Sequence, residues 1–381
     1  GTGFYRFDGS TLTLLGTMTS SDTRCTLVID DNGNVLISDG LDAYYWNGST
    51  LTLLAFPTNV GPVAFLAGYG IYPVPDSGRF YVTGLNAMNT VDPLDFATAE
   101  SNPDPLVRIF TDHNELWLFG TRSTEVWSLS GAADFPFTPY TNAQMERGCR
   151  AAFSVASEDN TLFWLGDDDV VYRADGYRPT RVSTHPIERQ IAGIPKAARE
   201  RADAFFYTHD GHKFYTLRFP GYFTLQYNIA TGFWNRARTY LQDDWVVTGS
   251  AGRVSDFLMT DLGIAQLVDG LSTDEGSVMQ RAGISAPIYA DGREISLHSF
   301  WLDCEVGRMA EGTEPLISLR LARDSETFGN ERSRSLGTTG DYLRRVTWRG
   351  CGMGRKIAVQ FSMTDNATLA IMGADGEVSA G

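Results

Sequence analysis

Lysine is almost missing from this chain: of its 31 basic residues only Lys196, Lys213 and Lys356 are lysine, and the other 28 are arginine. Basic charge is scarce altogether, because 46 acidic residues leave a formal net charge of −15 at pH 7. A chain this acidic does not grip nucleic acid by neutralising phosphates, since that term grows with the number of cationic contacts. Cysteine is equally sparse. Cys25, Cys149, Cys304 and Cys351 lie far apart and form no Cys-x-x-Cys pair. That excludes a structural zinc knuckle and a dense disulfide framework, and leaves four small, buried or half-buried side chains. No apolar run approaches the roughly 18 residues of a membrane helix; the best stretch, 63–74, is interrupted by Gly68, Gly70 and Pro73. Glycine and proline are spread out, so no collagen-like or linker-like segment is present. The chain begins at Gly1 without a methionine or a signal-peptide pattern, which reads as a trimmed or partial product and leaves the compartment unassigned. What remains is apolar and aromatic: 43% hydrophobic and 12% aromatic residues in 381 positions, enough for one large or two ordinary domains.

One repeat is literal. Gly9-Ser10-Thr11-Leu12-Thr13-Leu14-Leu15 recurs as Gly48-Ser49-Thr50-Leu51-Thr52-Leu53-Leu54, and Tyr5-Arg6-Phe7-Asp8 before the first copy corresponds to Tyr44-Tyr45-Trp46-Asn47 before the second. Each copy reads as an aromatic strand, an Asp-Gly or Asn-Gly turn and an alternating Thr-Leu strand, the signature of a hairpin. A period near 40 residues in such a pattern is that of a four-stranded propeller blade. Weaker hairpins follow at 115–129, 161–173 and 212–234, with period-two alternation throughout and almost no helical periodicity. The exception is 187–204, where Ile187, Ile191, Ile194 and Ala198 fit one short helix interrupted at Pro195, assigned to a long connection between blades. The expectation is an all-β chain: a β-propeller of about six blades over 1–270, then a small β-sandwich-like domain over 271–381. The chain opens on an outer hairpin, and 245–269 looks short of outer strands, so pairing 5–15 with 245–269 would close the ring and hide both edges. Most of the acidity, −12 of −15, falls on the first 270 residues.

Candidate chemistry is thin. His209-Asp210-Gly211-His212 reads as a hairpin turn with flanking histidines, lacking the third ligand a metal needs. Asp167-Asp168-Asp169 offers hard-cation oxygens but reads as a solvated turn. In Asp30-Asp31-Asn32-Gly33-Asn34 glycine falls too early for a calcium loop and the twelfth-position glutamate is missing. Gly350-Cys351-Gly352-Met353-Gly354 lacks the strand-to-helix context of phosphate-binding loops. No catalytic, cofactor-binding or metal residue is assigned, and no cofactor is expected. Composition and spacing alone stop at a propeller plus a small β-domain.

Two longer stretches are more specific. Glu115-Leu-Trp-Leu-Phe-Gly120, Ser123-Thr-Glu-Val-Trp127, Glu146-Arg-Gly-Cys149, Phe163-Trp-Leu-Gly166, Val171-Tyr-Arg173, Gly211-His-Lys-Phe-Tyr-Thr-Leu-Arg-Phe-Pro220 and Gln226-Tyr-Asn-Ile-Ala-Thr-Gly-Phe-Trp-Asn-Arg236 form the first. Pro315-Leu-Ile-Ser-Leu-Arg320, Gly337-Thr-Thr-Gly340 with Asp341-Tyr-Leu-Arg-Arg-Val-Thr-Trp-Arg349, and Ile371-Met-Gly373 form the second. In this order, over roughly 105–375, the chain resembles the packaged-DNA stabilisation proteins of short-tailed bacteriophages, the tail hub or nozzle family. It departs at Arg323-Asp324-Ser325-Glu326-Thr327-Phe328, where the family tends to carry Ser-Asp-Gly-Gly-Thr-Trp; that turn is similar to the structural Asp-box of sialidases. The resemblance implies a non-enzymatic virion tail protein, a ring-shaped and usually hexameric assembly below the portal and its adaptor proteins. Such a ring extends the DNA channel, helps retain the packaged genome and anchors fibres, spikes or a needle-like plug. Genomic DNA would pass without tight binding. The competing readings are a propeller glycosidase, sialidase or lyase, and a glycan-binding adhesin, since propellers host both. A central pocket with convergent acids would favour the enzyme, and exposed aromatics in a groove would favour the adhesin.

Overall fold

The computed structural model describes residues 2–19, 24–99, 104–132, 134–250, 257–260, 263–268, 273–307 and 313–380. The chain forms two compact units, one mainly Gly1–Ala237 and the other mainly Leu262–Gly381, with 238–261 divided between them. The expected boundary at 270/271 lies outside the described residues.

The first unit is a β-propeller. Four-stranded antiparallel sheets follow one another at 26–54, 64–98, 106–145, 156–181 and 203–237, each with its strands in chain order, and the strand Val247–Ser250 begins a sixth, three-stranded sheet. We number these sheets one to six. The first strands of successive sheets touch, as Thr26–Ile29 does Ala64–Leu66 and Asp203–His209 does Val247–Ser250, which puts the first strands at the centre. Apolar layers lie between consecutive sheets: Trp117, Phe119 and Met145 of sheet three pack with Leu162, Trp164 and Tyr172 of sheet four. Phe163 and Leu165 of sheet four pack in turn with Tyr215, Leu217 and Leu225 of sheet five. A second strand is therefore covered on both faces. Thr161–Leu165 is buried at every position and Glu115–Gly120 at all but the first. This replaces the simple alternation expected there: with an apolar neighbour on each side, both sets of side chains must be apolar.

Tight turns explain the hairpins. His113-Asn114, Asp159-Asn160 and Asp210-Gly211 each place two consecutive residues at positive φ, the type I′ geometry that two-residue hairpins favour. Asn and Asp tolerate that region because their short side chains hydrogen-bond locally. The predicted single interrupted helix is two: α1 (His185–Ala192) and α2 (Lys196–Glu200), parted by Gly193, Ile194 and Pro195, in the connection from sheet four to sheet five.

The N-terminal repeat folds as a hairpin, Gly3–Phe7 with Leu12–Thr17, but its ring-closing pairing is not found. Among the described residues these strands pair only with each other, and sheet six is separate; 251–256, 261–262 and 269 of the expected partner lie outside the described residues. The hairpin packs on sheet one instead, Phe4 edge-on to Trp46 at 6.0 Å and Gly16 against Leu51, where a Cβ on Gly16 would fall 2.7 Å from Leu51 Cβ. This face contact half-buries Phe4 and leaves Tyr5, Leu12 and Leu14 about half exposed.

The second unit is a β-sandwich. One sheet has the order Arg281–Ile284, Lys356–Met363, Leu316–Arg323, Arg332–Ser335, with Ile288–Tyr289 also on Lys356–Met363; the other is Val346–Gly354, Ile295–Cys304, Ile371–Ala380. Leu297, Phe300 and Leu302 of one sheet and Ile317, Leu319 and Val359 of the other fill the space between, around a fully buried Trp348. Burying an indole of 150–250 Å² at about 25 cal/mol per Å² is a gross gain of roughly 4–6 kcal/mol, and its Nε1 donates to the Arg332 carbonyl at 2.6 Å. Asp324 makes the turn after Leu316–Arg323: it sits at φ 51°, and its Oδ1 accepts from the backbone N–H of Arg355 (2.7 Å) and Lys356 (2.8 Å). The carboxylate is structural here, despite the departure from the family's turn sequence. Among the described residues no helix is long and apolar enough to cross a membrane.

Candidate functional site on the propeller axis

The charges that sequence reading left unassigned converge at the centre of the propeller. Asp203, the first residue of sheet five, is buried. Its Oδ2 lies 2.8 Å from Arg24 Nη1, just before sheet one, and 4.0 Å from Arg218 Nη1 on the next strand. Arg218 Nε is 3.1 Å from Asp244 Oδ2, which also accepts from the Gly221 N–H at 3.1 Å. Arg24 then donates from Nη2 to the Thr248 carbonyl of sheet six at 3.3 Å. A single guanidinium therefore links the first, fifth and sixth sheets. Arg24 and Arg108 also share one ring, their Cζ atoms 5.1 and 5.6 Å from the Phe153 centroid. Such cation–π contacts contribute most when the cation has lost water.

Burial dominates the ionisation here. It pushes the Asp203 carboxyl above its ordinary value; Arg24 and then Arg218 pull it back, and Asp244 pushes it up again. Desolvation lowers the Arg108 guanidinium to about 10, and its Nε and Nη1 are buried without a hydrogen-bond partner among the described residues. The Cys149 thiol is driven to about 11 by burial, and the Tyr215 hydroxyl, likewise raised by burial, donates to the Ser154 carbonyl at 2.7 Å. The two acids of the axis are held by Arg218 of sheet five, and Asp203 also by Arg24 from the segment before sheet one. The arrangement fastens the ring.

The motifs singled out in the sequence lie apart from this axis. Asp210-Gly211 turns a hairpin in which His209 pairs with His212 across the strands, and His212 Nδ1 meets Asn228 Nδ2 at 3.2 Å. The Asp167–Asp169 turn differs from the expected solvated one. Asp167 accepts the Gly148 N–H at 2.9 Å, Asp168 accepts the Tyr172 hydroxyl at 2.7 Å, and Asp169 joins Arg150 at 3.2 Å and Arg199. Its carboxylates pin the entry to the sheet against the following helices. Asp30 accepts from the N–H of Asn32 and Asn34 and from the Asn34 amide, all within 3.0 Å, as a turn. Gly350–Gly354 lies within the strand Val346–Gly354. Among the described residues no three His, Cys, Asp or Glu side chains come together as a metal site. The axial set was missed because its members are far apart in sequence. The one signal was a charge inside an apolar strand, Arg108 in Leu106-Val-Arg-Ile-Phe110.

Known families decide the identity. The family described as bacteriophage P22 Gp10, beta-propeller, matches residues 1–250, and bacteriophage P22 Gp10, beta-sandwich, matches residues 282–379. The chain belongs to the P22 Gp10 family. It is thus a bacteriophage tail structural protein, a component of the virion. No curated protein sequence matches the chain. Three solved structures that align with this Gp10-family chain do so distantly. The extracellular domain of a B. thetaiotaomicron protein assigned as a hybrid two-component system aligns at TM-score 0.42 and 11% identity over 64% of this chain and 31% of that one, so the chain spans about a third of that protein's length. A chain of the mitotic checkpoint complex aligns at TM-score 0.44 and 15% identity over 69% and 80%. The exo-beta-1,3-galactanase of Phanerochaete chrysosporium, with galactose, aligns at TM-score 0.36 and 9% identity over 95% and 96%. Likenesses this distant carry no functional argument for the Gp10-family chain.

Proposed function

We propose that the chain is one subunit of a tail hub or nozzle ring of six copies below the portal and its adaptor proteins. In this reading the ring extends the DNA channel, helps retain the packaged genome and anchors fibres, spikes or a plug. Residues 1–270 act as its propeller domain and 271–381 as its sandwich domain, and neither serves as an enzyme. The observation that carries the reading is family membership along both domains in the same order. Two physical features support it. Arginine at 28 of 31 basic positions suits large, lasting contacts, because the planar guanidinium binds carboxylates, carbonyls and rings with little hydration to lose. A surplus of carboxylate suits a conduit, because it repels phosphate and gives DNA nothing to stick to. The test is to assemble particles with and without the protein and measure genome retention by nuclease protection, with electron microscopy of the tail for copy number. Loss of packaged DNA without the protein, and six copies in a ring with it, are expected. Full retention without it, or one copy per particle, overturns the reading.

A further inference from the structure

A groove of about 470 Å³ runs between helix α1 and the last two strands of sheet five. Ile187, Ile194, Leu225 and Trp234 make it apolar, and Arg189 and Arg236 flank it. Trp234 is fixed by its Nε1 bond to the Val182 carbonyl at 2.8 Å, so the groove is preformed. Arg236 stacks on Phe223 at 5.3 Å and reaches the Tyr222 carbonyl, yet neither arginine meets a carboxylate among the described residues. In a chain with a net charge of −15, two arginines left without acids beside an apolar groove call for an acidic and apolar occupant.

The chain itself presents such an element. On sheet two the turn at 91–95 holds Leu94 81% exposed, between Asp92 and Asp95. The turn is rigid: Asp92 Oδ1 accepts the Leu94 N–H at 2.9 Å, the Asp92 carbonyl accepts the Asp95 N–H at 3.0 Å, and the Asp95 carbonyl accepts from Val82 at 3.1 Å. Neither acid has a basic partner among the described residues. Of the two leucines more exposed than Leu94 among the described residues, Leu343 stands beside Arg344 and Arg345, and Leu241 precedes Asp243 and Asp244, of which Asp244 is already paired with Arg218. We propose that Leu94 of one copy inserts into the α1 groove of the next copy, with Asp92 and Asp95 facing Arg189 and Arg236. In a six-sheet propeller, sheets two and five lie across the axis from each other. Each copy therefore gives on one flank and receives on the other, the head-to-tail pattern that can close a ring. Both partners are pre-ordered, so the contact sacrifices little conformational entropy.

This inference rests on the ring-shaped homo-oligomer proposed above and names its lateral contact. The test places Leu94→Cys and Gln190→Cys, both exposed, in one chain within assembled tails, and oxidises mildly. The single-cysteine variants serve as controls for the native thiols, and Asn235→Cys replaces Gln190→Cys if that chain does not fold. A ladder of covalent multimers on a non-reducing gel, at least tenfold above either single variant, is expected. A ring seen by electron microscopy with no ladder from either pairing overturns the contact and leaves the ring reading standing. Tails with no ring of this protein overturn both.

Discussion

Arg24 holds together Asp203 of sheet five, the Thr248 carbonyl of sheet six and the Phe153 ring. Replacing it by alanine removes the 2.8 Å partner of the buried Asp203 and the bond to Thr248, leaving Asp203 only the 4.0 Å approach of Arg218. Stranding a buried acceptor costs about 1–3 kcal/mol, and the partial exposure of Arg24 places the loss at the low end of buried ion pairs. Arg24→Ala should therefore lower stability by about 1–3 kcal/mol in denaturant unfolding at pH 7, and adding Asp203→Asn should recover part of it. The pH sign follows from Asp203. Its carboxyl already titrates above the unfolded value of 3.8, so its charged form weakens the fold above that window and protonation relieves this as pH falls. Without Arg24 the value rises further, and the deficit of the variant should shrink on acidification. A deficit that grows toward pH 4 would contradict this account. His113 gives a second case. Its ring nitrogens face Asn160 Oδ1 and Asp112 Oδ2, two acceptors, so both must carry protons and the imidazolium is favoured. First Asn160 and then Asp112 raise its titration above 6.5; the added stability is complete below 6.5 and is lost as pH climbs through the folded value. NMR should place the His113 midpoint above 6.5 and shift it down in Asp112→Asn. Apart from the neighbouring Asp112, these partners could not be read from the sequence, because Asp203 and Asn160 reach Arg24 and His113 only when distant strands and turns come alongside.

Local elements were far more legible. Two-residue turns of Asp, Asn and Gly specify type I′ hairpins by their own backbone preferences, and Pro195 had to interrupt a helix because it has no N–H to donate. The 39-residue repeat is legible down to individual atoms. Asp8 Oδ1 accepts the N–H of Ser10 at 3.0 Å and Thr11 at 2.8 Å, and Asn47 Oδ1 accepts the N–H of Ser49 and Thr50 at the same two distances. The partner of each hairpin was not legible, since edge pairing and face packing use the same alternating strand. That difference predicts unequal consequences for equal mutations. Asn47 turns an outer hairpin within a four-stranded sheet, so Asn47→Ala should lower global stability by about 1 kcal/mol. Asp8 turns a two-stranded hairpin, and such units open on their own. Asp8→Ala should leave the global unfolding midpoint in place and speed amide exchange only within 3–17. Equal global losses for the two variants would mean that the N-terminal hairpin unfolds with the ring.

At the scale of the whole molecule, the sharpest consequence of the sequence concerns a polymer it is proposed to surround. We expect the isolated protein to bind duplex DNA weakly, if at all, at physiological salt. Affinity for DNA without sequence recognition comes mainly from counterions released as phosphates are neutralised, so it needs cations in excess and in register with the backbone. Here carboxylates outnumber cations by 15 overall, and the first 270 residues hold 12 of that surplus. The structure removes further cations from the account. Arg24, Arg150, Arg199 and Arg218 are each paired with an aspartate inside the propeller, and Arg108 is turned into Phe153. An approaching phosphate backbone meets net repulsion over about one Debye length, roughly 8 Å at physiological ionic strength. Weak attraction suits a conduit, because every favourable phosphate contact would become a barrier when the genome leaves. Retention would then have to come from steric closure by a gate or plug. Titrating labelled duplex with purified protein across a salt series tests this. Sub-micromolar binding with a steep negative salt slope would sink the idea and point to a basic surface that the overall charge conceals; binding too weak to saturate, with little salt dependence, is the expected result.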